Sequence, residues 1–98
     1  MTEKKTFTIT VYTDAGHGWG KVKRKVLENL GIAPDVSSYS YQYKDNVYLE
    51  EDCDLSLLLQ RLHSDNVSIK WVTKHTEGNS KIRSYEWYAY VQDTSETA

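Results

Sequence analysis

The segment DAGHGWGK, residues 14–21, holds the densest set of reactive groups in the chain. Asp14 and His17 place a carboxylate and an imidazole three residues apart, and Lys21 adds an ammonium. Gly16, Gly18 and Gly20 alternate between them. Between a strand and a helix, such a loop offers free backbone N–H groups and the positive end of a helix dipole. It would suit a nucleotide or small anion, with Asp14, Gly16, His17, Gly18 and Lys21 as ligand residues. The spacing matches neither standard phosphate loop. Three residues, not four, separate Gly16 from Gly20-Lys21, and Val22 stands where Ser or Thr is needed. The alternating glycines also miss the dinucleotide fingerprint. The plainer reading is a tight turn with Trp19 packed under the end of the sheet.

Glu50, Glu51, Asp52 and Asp54 form an acidic run that could hold a cation or serve as acid and base. Its spacing is not that of an EF-hand. The plainer reading is a helix N-terminus with favourable charge. His17, His63 and His75 have no metal-ligand spacing with one another or with Cys53. Cys53 has no neighbour that marks a nucleophile, and is expected under the second helix. No Ser/His/Asp signature and no cofactor motif is visible. Lys21, Lys23, Arg24 and Lys25 offer a basic face to an acidic partner, or simply a solvated one. RSYEWYAY, residues 83–90, concentrates the Tyr, Trp and Arg that dominate binding hot spots.

These groups must be carried by few elements, because 98 residues make one domain with one modest core. Residues 5–13 alternate, with Phe7, Ile9 and Val11 on one face and Thr6, Thr8, Thr10 and Tyr12 on the other, which predicts a strand. Trp19, Val22, Val26, Leu27 and Leu30 fall at helical spacing over 19–30, and Gly31 and Pro34 end that helix. Residues 36–43 and 46–51 read as a hairpin closed near Asp45-Asn46. Asp52 is a candidate N-cap for a second helix with the stripe Leu55, Leu58, Leu59 and Leu62. A turn at Asp65-Asn66 leads to a strand over 67–75, with Val67, Ile69 and Trp71 on one face. After the polar turn 76–80, residues 81–91 predict one more strand, paired to the one at 67–75. Residues 92–98 read as a disordered tail. The expected fold is α+β: a ferredoxin-like split βαβ (β-α-β-β-α-β) with an additional C-terminal strand, both helices on one face of an antiparallel sheet. The domain would span 1–91.

The hairpin loop decides what the tyrosines do. A two-residue loop puts Tyr39, Tyr41, Tyr43 and Tyr48 on the open side of the sheet, near Tyr12. A three-residue loop puts Tyr39, Tyr41 and Tyr43 in the core with Val47 and Leu49, since one residue of register swaps every side chain. The first choice threatens to bury Ser38, Ser40 and Gln42. The reading favours the three-residue loop on that ground.

Hydrophobic residues make up 39% and charged residues 27%, a globular composition. A net charge of -2 argues against a general nucleic-acid binder. The acidic strand NVYLEE also lacks the basic pattern of an RNA-recognition sheet. One cysteine permits no internal disulfide, which fits a reducing cytoplasm. No apolar signal core or membrane-length run is present, so no membrane contact is expected. Eight Tyr and three Trp against one Phe suit half-buried sites and contact surfaces.

At HGWGKV, SSYSYQ and VYLEEDCD, and on through HTEGNSKIRSYEWY, the sequence resembles a family of small proteins encoded by bacteriophages and other mobile elements. The resemblance covers about residues 7–88. It carries context and no catalytic residues. It implies a bacterial-cell setting and an accessory protein that blocks a host factor, such as an anti-CRISPR or another anti-defence inhibitor. The leading expectation is therefore a non-enzymatic module that binds a host bacterial protein through Tyr39, Tyr41, Tyr48, Arg83, Tyr85 and Trp87. The other expectations are the anion site at 14–21 and self-assembly, as a homodimer or larger, through the edge strand expected at 81–91.

Overall fold

The computed structural model describes residues 5–90. The C-terminal tail expected at 92–98 lies outside them. The architecture is α+β, with one mixed six-stranded sheet and two α-helices. The strands are β1 (Lys5–Thr13), β2 (Gly18–Lys23), β3 (Tyr41–Tyr43), β4 (Asn46–Glu50), β5 (Val67–His75) and β6 (Glu86–Trp87). Helix α1 spans Arg24–Asn29 and α2 spans Asp54–Ser64. The sheet order is β5-β1-β2-β4-β3-β6; β1 and β5 are parallel and the other neighbours antiparallel. No helix among the described residues is long and apolar enough to cross a membrane.

This is not the order expected of a split βαβ. Residues 18–23 form a strand that turns back on β1, and the first helix keeps only 24–29. The alternation is hidden in the sequence because two of its three core-facing positions are glycines, at Gly18 and Gly20 ahead of Val22. Gly20 is a packing requirement: a Cβ there would lie 2.7 Å from Leu55 Cδ1 and 3.3 Å from Ile9 Cγ2. Gly31 ends α1 in the left-handed region, at φ +75°.

Both helices cover one face. Ile9, Val22, Val47 and Leu49 of the sheet pack with Leu27 of α1 and with Leu55, Leu58 and Leu62 of α2. Leu59 is only partly buried. Helix α2 starts at Asp54, with Cys53 rather than Asp52 at the N-cap position and no side-chain cap bond. Asp54 is buried and anchors the preceding chain. Its carboxylate accepts from Ser37 N–H (3.0 Å), Ser37 Oγ (2.7 Å) and Ser40 Oγ (2.5 Å).

The hairpin loop has two residues, Lys44 and Asp45: Tyr43 pairs with Asn46, and Tyr41 with Tyr48. The cost of burying polar groups is avoided one residue at a time. Ser38 is exposed. Ser40 is fully buried, but its hydroxyl donates to Asp54 and accepts from Glu50 N–H (3.0 Å). Gln42 Oε1 accepts from Arg24 Nη1 (3.2 Å) and Ala89 N–H (3.4 Å). Lys44, not Asn46, takes the left-handed conformation, at φ +54°. Arg24 holds the loop through Lys44 O (Nη2, 2.6 Å) and Asp45 O (N–H, 2.8 Å). Of the strand expected over 36–43, only 41–43 is a strand.

The final expected strand is also corrected. Residues 81–84 form a 3₁₀ turn capped by Ser80, whose side chain accepts from Ile82 N–H. Among the described residues of that segment only Glu86–Trp87 forms a strand, and it pairs with β3 at the far edge from β5.

Candidate functional site

The two-residue loop sends Tyr41, Tyr43 and Tyr48 to the sheet face away from the helices. That face carries a second buried cluster, because residues 80–87 fold back over it. Trp19, Tyr41, Tyr48 and Ile82 are buried there together, with Tyr12 and Tyr85 packed against them. Tyr41 and Trp87 stack at 4.6 Å between ring centroids, as do Tyr43 and Tyr85. Burial, with Tyr85 and Tyr12 next, pushes the Tyr48 hydroxyl up to about 12.

Asp14 fixes the returning segment in place. From the turn between β1 and β2, its Oδ1 accepts from Gly16 N–H and His17 N–H, both at 3.0 Å. Its Oδ2 accepts from Ser80 N–H at 2.9 Å. Arg83 grips both oxygens, Nε to Oδ2 at 2.6 Å and Nη2 to Oδ1 at 2.9 Å. The Arg83 guanidinium, then Ser80 N–H, hold the Asp14 carboxyl well below the usual carboxylate range, against the effect of burial. Arg83 also lies 5.3 Å from the centre of the Trp19 ring, a cation–π contact. The anion reading of 14–21 loses its basis here. The loop leads into a strand and not a helix, and its N–H groups at 16 and 17 already serve Asp14.

A cavity of about 400 Å³ opens beside this clamp, within the range of ligand-sized sites. Its lining holds four aromatics, Trp19, Tyr39, Tyr41 and Trp87, and two acidic residues, Glu50 and Asp52. His17, Cys53 and Arg83 complete it. Tyr39 is 66% exposed and Trp87 59%, the latter with one ring face covered by Tyr41 and the rest open at the rim. Glu50 Oε1 accepts from Asp52 N–H (2.9 Å) and Cys53 N–H (3.0 Å), which fixes the carboxylate, and Oε2 lies 3.9 Å from His17 Nδ1.

No family model, curated protein or solved structure matches this chain.

The structure brings residues of two separate expectations to one place. Tyr39, Tyr41, Arg83 and Trp87 meet His17 around the cavity, while Tyr48 and Tyr85 lie in the aromatic layer and do not line it. Lys21 pairs with Tyr48 in β2, and Gly18 pairs with Thr13; neither lines the cavity. Sequence reasoning misses Trp19 as a wall residue because its spacing fits a helix. Glu50 and Asp52 are legible as part of the acidic run, though only the fold turns them toward aromatics. Cys53 is exposed at the cavity, not under α2. Burial, then the Glu50 and Asp54 carboxylates, push its thiol up, which runs against use as a nucleophile. Among the described residues, no three His, Cys, Asp or Glu side chains are arranged to hold a metal.

Proposed function

We propose that this chain is a binding module that docks its aromatic cavity against a protein partner and occludes it. The observation that carries this is the pair Tyr39 and Trp87: two large rings left open at the mouth of a cavity whose back wall is clamped by Asp14 and Arg83. Exposed aromatics on a rigid support are the chemistry of interface hot spots. The resemblance to phage-encoded accessory proteins makes a bacterial host factor, including a defence component, the first class of partner to test. Capture from bacterial lysate tests the reading. The same protein should be retained by the wild type and lost with Tyr39→Ala and Trp87→Ala. Identical retention by all three, or none by any, would overturn it.

A second reading is self-assembly through β5. That strand forms the opposite edge of the sheet and leaves Trp71 and Val72 exposed. Light scattering at high concentration decides it, since a monomer removes this reading and leaves the first intact.

A further inference from the structure

The cavity is lined by charged residues as well as aromatic ones. Arg83 is its one arginine or lysine among the described residues, and that guanidinium is matched by Asp14, whose side chain is fully buried. Glu50 and Asp52 have no lysine or arginine partner among the described residues. Two acidic residues therefore line the cavity without a lysine or arginine partner, with His17 Nδ1 3.9 Å from Glu50 Oε2. The Glu50 side chain is only 13% exposed, so an occupant that expelled water would leave it desolvated. An apolar occupant would strand that charge, and an anion would be repelled. A cation would be held by the carboxylates and by the ring faces of Tyr39 and Trp87. The protein already holds one cation on this wall, with Arg83 against Trp19.

From this geometry we infer that the cavity takes a basic side chain, lysine or arginine, presented by the partner, with Glu50 and Asp52 supplying the charge and Tyr39 and Trp87 the ring faces. The inference rests on the docking reading above and deepens it.

The test uses side-chain mimics and their neutral isosteres: n-butylammonium against n-butanol, and butylguanidinium against butylurea. The indole N–H signals of Trp19 and Trp87 report by NMR, and that of Trp71, on the far edge, is the internal control. A cation should shift Trp87 and Trp19 but not Trp71, with at least ~10-fold tighter binding than its isostere, a difference of about 1.4 kcal/mol. Glu50→Gln together with Asp52→Asn should abolish that preference while leaving the backbone amide spectrum of the helices unchanged, because the side-chain amide oxygen introduced at position 50 can still accept the two N–H groups. Equal binding of cation and isostere would overturn the inference. So would unmoved Trp87 and Trp19 signals up to about 50 mM probe, or a preference that survives the double substitution. A partner captured in a Trp87-dependent way alongside equal binding of the isosteres would sink this inference alone and leave the docking reading standing.

Discussion

Ser40→Ala is the substitution that most sharply probes why the tyrosines lie where they do. The Ser40 hydroxyl is fully buried and makes two bonds, 2.5 Å to Asp54 Oδ2 and 3.0 Å from Glu50 N–H. Alanine removes both. A hydrogen bond to a charged acceptor contributes about 1.5–3 kcal/mol, and an orphaned N–H costs about 1–3 kcal/mol when water cannot reach it. Glu50 is only partly buried, and Asp54 keeps its two donors from Ser37. The expected loss is therefore about 2–4 kcal/mol, below the simple sum. In a domain of this size that lowers Tm by roughly 10–25 °C. Urea denaturation followed by tryptophan fluorescence should show a lower midpoint with an unchanged slope. Ser38→Ala, at the exposed neighbour, should stay within about 0.5 kcal/mol of the wild type. A Ser40→Ala protein as stable as Ser38→Ala would refute the claim that a satisfied buried serine permits this hairpin register.

Further outcomes follow from the same contacts. Asp14→Asn should loosen residues 80–84, seen as faster amide exchange at Ser80 and Arg83, while Tyr88, whose N–H donates to Ser40 O, and the α2 amides stay protected. With its carboxyl held low in the fold, Asp14 stabilises the clamp fully above about pH 4 and progressively less below it, because the unfolded chain then takes up the proton first; protection at Ser80 that is flat from pH 6 down to pH 2, both about two units from that point, would contradict this. Gly20→Ala drives a Cβ against Leu55 and Ile9 and should cost about 1–3 kcal/mol by thermal melting. Gly18→Ala meets chiefly the flexible end of Glu51 and should cost less. Tyr48 ionises only near pH 12, above its ordinary 10, so its burial stabilises the fold below pH 10 and is lost as pH rises through 12. Tyr48→Phe should remove the last step of the tyrosine absorbance titration.

The parts legible in the sequence are those with side chains to show a period. The β1 alternation, the leucine stripe of α2 apart from a half-buried Leu59, the helix stop at Gly31 and the turn at Asn66 appear as read. The β2 strand is not legible, because glycines at 18 and 20 erase the apolar half of its alternation, and Trp19 and Val22 then mimic a helical spacing. The register of β3 and β4 turns on a partner distant in sequence. Nothing local to Ser40 says that Asp54 will satisfy it, nor that Arg24 will hold Lys44 at positive φ. The cavity shares this limit. Its aromatic residues and its acidic run are each visible, but their meeting depends on Asp14 and Arg83 pairing across 69 residues of chain.

The central claim is that the rim of Tyr39 and Trp87 is where a partner docks, and calorimetry with a purified captured partner tests it most directly. Trp87→Ala should weaken binding at least ~10-fold, and Trp71→Ala, on the opposite edge of the sheet, should leave it unchanged. The reverse pattern, with Trp71 required and Trp87 dispensable, would contradict the account and move the interface to β5.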